Sequence, residues 1–72
     1  MIRNLNNKSI YLIEAYGILG HTRFNQIVNQ LKYADGGWTV NDVKKVLNFP
    51  ELYDSHKIAL IKEYMPKTAK EL

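Results

Sequence analysis

The stretch Thr22-Arg-Phe-Asn-Gln-Ile-Val-Asn-Gln-Leu-Lys-Tyr-Ala34 is the strongest predictor of the fold in this sequence. Its apolar residues recur at i, i+3, i+4, i+7 and i+10, the spacing of one buried stripe on an amphipathic helix. They are Phe24, Ile27, Val28, Leu31 and Ala34. The residues between them are polar and suit the solvent-facing side. We therefore expect the rest of the chain to pack over this stripe.

Both ends of this predicted helix carry boundary signals. Before it, Gly20 is a natural stop for a preceding helix, and Thr22 is placed to cap the new one through its hydroxyl. After it, Asp35-Gly36-Gly37 tolerates positive φ and predicts a turn. The same three residues lack the further glycines and the preceding strand that a phosphate-binding loop requires. We interpret them as the end of the helix.

The residues after the glycines carry the clearest local motif. Thr39 stands at an N-cap position with Asp42 three residues later, and these are the two polar members of a capping box. Trp38 before the cap and Val43 at the fourth helical position form the pair of a hydrophobic staple. We therefore expect a third helix to begin after Thr39 and to be stopped by Pro50.

A first helix is predicted upstream and ends at about Leu19. Gly17 would weaken that helix, and a close crossing with another helix would explain its presence. The dense β-branched and aromatic residues over Ile10–Ile13 also suit a short strand, so this alternative stays open. Polar residues suited to cap the first helix are Asn6, Asn7 and Ser9.

A fourth helix is predicted downstream, capped by Asp54 or Ser55 and ended by Pro66. The fold class is then all-α, a compact bundle of about four short helices in a single small domain. Residues 1–8 would form a flexible N-terminal arm, residues 9–66 the helical domain and residues 67–72 a C-terminal tail. The expected core is Ile13, Phe24, Ile27, Val28, Leu31, Val43, Val46, Leu47, Ile58, Ile61 and Met65.

The bulk composition limits what the chain can be. Seventy-two residues make one domain, near the lower size limit for an unaided hydrophobic core. There is no cysteine for a disulfide or a thiolate zinc site. No secretory signal or apolar run of roughly 18–20 residues is visible, so we expect a cytoplasmic protein. A formal net charge of +3 is too mild and too dispersed to indicate a phosphate-binding stripe.

The histidines do not form a catalytic or metal-binding pattern. In Asp54-Ser55-His56 the residues are consecutive, whereas a catalytic triad needs contacts made across the fold. A helix N-terminus explains the Asp and the Ser, and it places His56 at an exposed first-turn position. His21 and His56 lack the paired spacing of metal ligands. We predict no catalytic residue, no metal and no cofactor.

From Arg23 to Asn48 the apolar pattern resembles the opening two helices of a DeoR-like winged-helix domain. The resemblance implies a helix-turn-helix whose recognition helix lies near Leu52–Tyr64. The candidate helix opens with Glu51, just before this segment, and Asp54, which are acidic where DNA-binding residues should cluster. Two capped amphipathic helices also produce the same apolar pattern by packing alone. DNA binding is therefore the alternative function, through Lys44, Lys45, Lys57 and Lys62.

The favoured function is a non-enzymatic protein–protein interaction module. A chain of this size has more large apolar and aromatic side chains than a small core can bury, and the excess would form an interface with a protein partner or a second copy. A homodimer is the favoured self-association, and no small-molecule substrate or membrane is expected. Frequent Ile, Asn and Lys with only two Arg residues is typical of AT-rich genomes, which suggests a phage or mobile-element regulator or inhibitor of a host protein. The interface candidates are Trp38, Tyr33, Tyr53 and Tyr64.

Overall fold

The regular secondary structure of the described residues consists of helices. The computed structural model describes residues 7–72, with side chains from Ile10 onward, and within that range it has five helices and no strand. They are α1 (Asn7–Leu19), α2 (His21–Ala34), α3 (Val40–Val46), α4 (Asp54–Tyr64) and α5 (Pro66–Ala69). The all-α prediction is confirmed, and residues 10–13 belong to α1 rather than to a strand. The cap candidate Asn6 and the side chains of Asn7 and Ser9 lie outside the described part.

The apolar stripe of α2 is buried as predicted. Phe24, Ile27, Val28 and Leu31 are buried, and Ala34 is half-buried against the same core. Both α1 and α4 pack against α2 and cover the stripe. Removing this apolar surface from water is the main favourable contribution to folding in so small a domain.

Helix α4 lies at the centre of the bundle. It contacts each of the other four helices described, and it buries Ala59, Leu60 and Ile61. One continuous apolar cluster surrounds it and consists of Ala15, Phe24, Ile27, Val28, Leu31, Val43, Leu47, Leu52, Leu60, Ile61 and Met65. Because its neighbours cover so much of α4, this helix presents only a narrow face to solvent.

The structure corrects the predicted core at three positions. Ile13 is 61% exposed, because α1 turns its other side, which carries the fully buried Ala15, toward the bundle. Val46 and Ile58 are half-buried rather than buried. Buried apolar residues absent from the predicted core are Ala15, Leu52, Ala59 and Leu60.

The predicted capping box at the start of α3 is present. Thr39 Oγ1 accepts a hydrogen bond from the N–H of Asp42 at 3.1 Å, and Asp42 Oδ2 accepts one from the N–H of Thr39 at 3.3 Å. Trp38 packs against the core cluster that contains Val43, and the direct contact of a staple stays a prediction. The end of α3 differs from the prediction, since the helix finishes at Val46, before it reaches Pro50.

The starts of α2 and α4 also differ from the prediction. Gly20, at φ 87°, is the N-cap of α2, so Thr22 lies inside the first turn and does not cap it. The N-cap of α4 is Tyr53, so neither Asp54 nor Ser55 fills that position. The N–H of Tyr53 instead donates to Nδ1 of His56 at 2.9 Å. A buried side chain in the first turn therefore satisfies the start of α4.

The C-terminal residues fold back onto the bundle. Helix α5 directly follows Met65, and Thr68 within it is 1% exposed. Residues 67–72, assigned to a tail from sequence, therefore include part of a helical turn that packs against α4. Of the arm assigned to residues 1–8, the first six residues lie outside the described range, and Asn7 and Lys8 begin α1.

Candidate functional site

A shallow groove lies where α2 ends and the chain turns toward α3. It encloses about 430 Å³, and its lining is mainly apolar. The lining residues are Gln30, Tyr33, Ala34, Asp35, Gly37 and Trp38, and we call this feature the Tyr33–Trp38 groove. Two of the four interface candidates are thus brought together at one place. The reason is local, because Gly36 at φ 85° turns the chain so that Trp38 returns toward the last turn of α2.

The two aromatic side chains of the groove differ in burial. Tyr33 is 94% exposed, whereas Trp38 is half-buried and packs against the core. An exposed tyrosine contributes little to folding, while a tryptophan packed on the core stabilises it through its large apolar area. Trp38 therefore has a structural role at the groove, and Tyr33 is accessible to another molecule.

Hydrogen bonds from α5 hold the turn that forms the groove. Asp35 accepts from the backbone N–H groups of Thr68 at 3.0 Å and Lys67 at 3.3 Å. Desolvation acts to raise the pKa of Asp35, but these hydrogen bonds and the charge of Lys67 outweigh it and lower the pKa below the ordinary value of 3.8. The Thr68 hydroxyl accepts from the N–H of Gly36 at 3.0 Å and donates to the carbonyl of Trp38 at 3.3 Å.

These contacts of α5 were missed from sequence. Thr68 follows Pro66 closely and sits in a polar C-terminal stretch, with no apolar periodicity to indicate that it is buried. Pro66 itself was the one available signal, because proline is common in the first turn of a helix. We interpreted it only as the end of the preceding helix.

The other two tyrosine candidates lie outside the groove. Tyr53 is 72% exposed and stacks on His56, with ring centroids 5.5 Å apart and an interplanar angle of 15°. Tyr64 is half-buried, with its ring 6.3 Å from that of Phe24 and 5.8 Å from Nζ of Lys32. Burial, together with the nearby charge of Glu63, raises the pKa of Tyr64. The four aromatic candidates therefore do not form one surface.

Three of the four candidate DNA-binding lysines meet at a second depression of about 460 Å³. It is lined by Asn41, Lys44, Lys45, Asn48, Asp54 and Lys57, and Lys62 is not part of it. Nζ of Lys44 lies 3.2 Å from Oδ2 of Asp54, so this ammonium group already has an anionic partner. The depression is therefore lined by polar and charged residues and is only partly basic.

The two histidines have different surroundings. His21 is exposed, and its Nδ1 lies 2.9 Å from the Tyr16 hydroxyl. His56 is only 2% exposed, which corrects the expected exposed first-turn position. Its Nε2 lies 2.8 Å from Oε1 of Glu14 in α1, so the ring is held by the fold rather than by a neighbouring serine. Among residues 7–72, no group of three or more His, Cys, Asp or Glu side chains is placed to hold a metal ion.

Sequence analysis also missed an apolar surface on α1. Ile10, Ile13, Tyr16 and Ile18 are all more than a third exposed although they lie in a helix of a very small domain. A signal was present, because the apolar residues of α1 surround the whole helix rather than one face. Such a helix is normally covered on most sides.

Comparison with known proteins gave no relative for this chain. No family model, no curated protein and no solved structure matches it. Within residues 7–72, no helix is both long enough and apolar enough to cross a membrane.

Proposed function

We propose that this chain is a non-enzymatic protein–protein interaction module and that the Tyr33–Trp38 groove is its binding surface. The observation that carries the proposal is the exposure of Tyr33, 94%, beside a tryptophan whose position the fold fixes. Tyrosine and tryptophan are enriched among the residues that contribute most to binding energy at protein interfaces. A large aromatic side chain left in water has no role in the folding of the bundle.

The groove suits one large apolar side chain from a partner protein. Its volume of about 430 Å³ is within the usual range of binding pockets, and its mainly apolar lining favours apolar contacts. Gln30 and Asp35 place polar groups beside the two rings, as at the polar rim of an interface. The partner is thus a protein segment that presents an apolar anchor, and the Ile-, Asn- and Lys-rich composition favours a phage or mobile-element regulator acting on a host protein.

Site-specific photocrosslinking in cells tests the proposal. A photoreactive phenylalanine analogue would replace Tyr33 in one variant and Tyr53 in a control, since both tyrosines are exposed and only Tyr33 lines the groove. We expect a discrete protein adduct from position 33 and none from position 53. With the purified adduct partner, Tyr33→Ala should weaken binding by at least about fivefold while Tyr53→Ala has no effect. Equal adducts from both positions, or none, would refute the proposal.

DNA binding is the second candidate, and the observation that favours it is the grouping of Lys44, Lys45 and Lys57 at one depression. The central burial of α4 and the ion pair of Lys44 with Asp54 count against a recognition helix there. Anisotropy of a labelled DNA duplex decides the point. If this surface binds DNA, affinity must fall steeply with added salt, and replacing the three lysines by Gln must weaken binding much more than the control Lys62→Gln. Absence of binding at low salt eliminates this candidate.

A further inference from the structure

One side of α1 carries large residues in its first half and Gly17 near its end, and Gly20 follows at the junction with α2. Ile10, Ile13, Gly17 and Gly20 follow one another at i, i+3, i+7 and i+10, so they form a single stripe along the helix. Ile13 is 61% exposed and Ile10 is 39% exposed. The N–H of Gly20 still donates to the carbonyl of Tyr16 at 2.9 Å, so this glycine continues the surface of α1. We call this feature the α1 stripe.

Within the part of the chain that the structure describes, nothing requires a glycine at position 17. Its φ is not positive, unlike that of Gly20, so its backbone conformation is open to any residue. Apart from the adjoining residues and backbone of α1 itself, no described atom lies within 4 Å of an ideal Cβ built at Gly17, so no described packing neighbour requires the absence of a side chain. Glycine destabilises a helix interior relative to alanine. The close helix crossing expected at Gly17 is therefore not made within the described chain.

We propose that α1 pairs in an antiparallel manner with α1 of a second copy of this chain. With the two-fold axis midway between positions 13 and 17, Ile13 of each protomer lies over Gly17 of the other. The same axis places Ile10 over Gly20. Each isoleucine of one protomer thus lies over a glycine of the other, and the symmetry repeats both pairs. This is the self-complementarity that a two-fold interface requires. A parallel pair in register would instead oppose isoleucine to isoleucine and glycine to glycine.

The charges of α1 permit this pairing. Glu14 is the only charged residue among positions 10–20, and its carboxylate is held by Nε2 of His56 in its own chain at 2.8 Å. Tyr16, 43% exposed, widens the apolar contact beside the stripe. α1 has a single basic residue, Lys8, whereas helices that lie on membrane surfaces are rich in Lys and Arg. A second protein surface with the same steric pattern fits better than a lipid surface.

The expected dimer is weak. A contact one helix wide buries less than the roughly 1,600 Å² of a standard interface, so we expect a dissociation constant on the order of 10 µM. The inference goes beyond the function proposed above, because it names a second copy of the chain as a further partner and α1 as a separate surface. It uses neither Tyr33 nor Trp38, so the failure of either proposal leaves the other standing.

Sedimentation equilibrium over a concentration series, with circular dichroism of each variant, tests the pairing. The wild type should dimerise, and Ile13→Gly and Gly17→Ile should each weaken dimerisation at least about tenfold. The double variant exchanges the large and small positions and should restore the dimer. Gly17→Ile also adds apolar surface, so nonspecific association would make this variant self-associate more tightly than the wild type. The proposed pairing predicts the opposite, a weaker dimer.

Three results would overturn the inference. They are a wild type that stays monomeric at about 1 mM, a Gly17→Ile variant that dimerises as well as the wild type, and a double variant that remains as weak as the single ones. The substitutions fall on exposed positions, so folding should survive them. Gly17→Ala provides a second check, because it should raise the melting temperature of the monomer through helix propensity and still weaken the dimer.

Discussion

His56 of α4 donates a hydrogen bond from Nε2 to Oε1 of Glu14 in α1 at 2.8 Å. A backbone N–H can only donate, and Nδ1 of the same ring accepts from the N–H of Tyr53 at 2.9 Å, so the ring proton resides on Nε2. One buried imidazole therefore begins α4 and ties it to α1. The Tyr11 ring packs edge-on against it, with centroids 5.8 Å apart.

Removing the acceptor of this buried ring should destabilise the protein. Glu14→Ala leaves Nε2–H of His56 without its protein partner, and we expect the free energy of unfolding to fall by about 1–2 kcal/mol. Glu14→Gln keeps a side-chain oxygen that can accept the hydrogen bond, so its loss should be smaller. Urea unfolding followed by circular dichroism measures both variants. Equal stabilities for the two would show that the His56–Glu14 contact does not contribute.

The buried hydroxyl of Thr68 should be more important than its methyl group. Thr68→Val keeps the shape but leaves the N–H of Gly36 and the carbonyl of Trp38 without this partner, so we expect a loss of about 1–3 kcal/mol. Thr68→Ser keeps the hydroxyl and removes one methyl group, at a cost of about 1 kcal/mol. Thermal unfolding of the two variants decides the order. A valine variant as stable as the serine variant would argue against the hydrogen bonds.

Gly36 and Gly37 should respond differently to alanine. Gly36 has φ 85°, and a Cβ there would lie 3.3 Å from Cδ of Lys67, so Gly36→Ala should destabilise by about 1–2 kcal/mol. Gly37 lacks positive φ, and its Cβ would lie at an ordinary 3.5 Å from the carbonyl oxygen of Ala34. Gly37→Ala is therefore the matched control, with little or no loss in the same urea experiment. The reverse order would contradict the described turn.

Acid should weaken the attachment of α5 through Asp35. The hydrogen bonds from Thr68 and Lys67 outweigh desolvation and lower the pKa of Asp35 in the folded state. Near pH 3.8, the ordinary pKa, the unfolded state therefore binds more protons than the folded state. The contribution of Asp35 to the free energy of unfolding is complete above that pH. It is lost as the pH falls through the lower, folded-state pKa. Unfolding free energies measured between pH 6 and pH 2, about the range of carboxylate titration, should change less in Asp35→Asn than in the wild type. Parallel pH profiles would refute this linkage.

Features that depend on residues within about one helical turn of one another follow from the order of the amino acids alone. The apolar residues from Phe24 to Leu31 are buried because their spacing places them on one face of the helix. This holds regardless of which elements pack on that face. The capping box of Thr39 and Asp42 forms because both partners lie three residues apart. Gly20 and Gly36 mark helix boundaries because positive φ favours glycine over other residues.

Which side of each helix is covered depends instead on contacts between segments that are distant along the chain. Ile13 and Ala15 lie in the same apolar helix, yet α2 and α4 pack on the side of Ala15, so Ile13 remains exposed. His56 looked like a surface residue because its partner Glu14 is 42 residues away along the chain. Tyr33 and Trp38 are both interface candidates from sequence, and the fold distinguishes them by placing the indole on the core and leaving the phenol in water. Burial depends on contacts between distant segments, and apolar periodicity specifies it only when a helix has one apolar face.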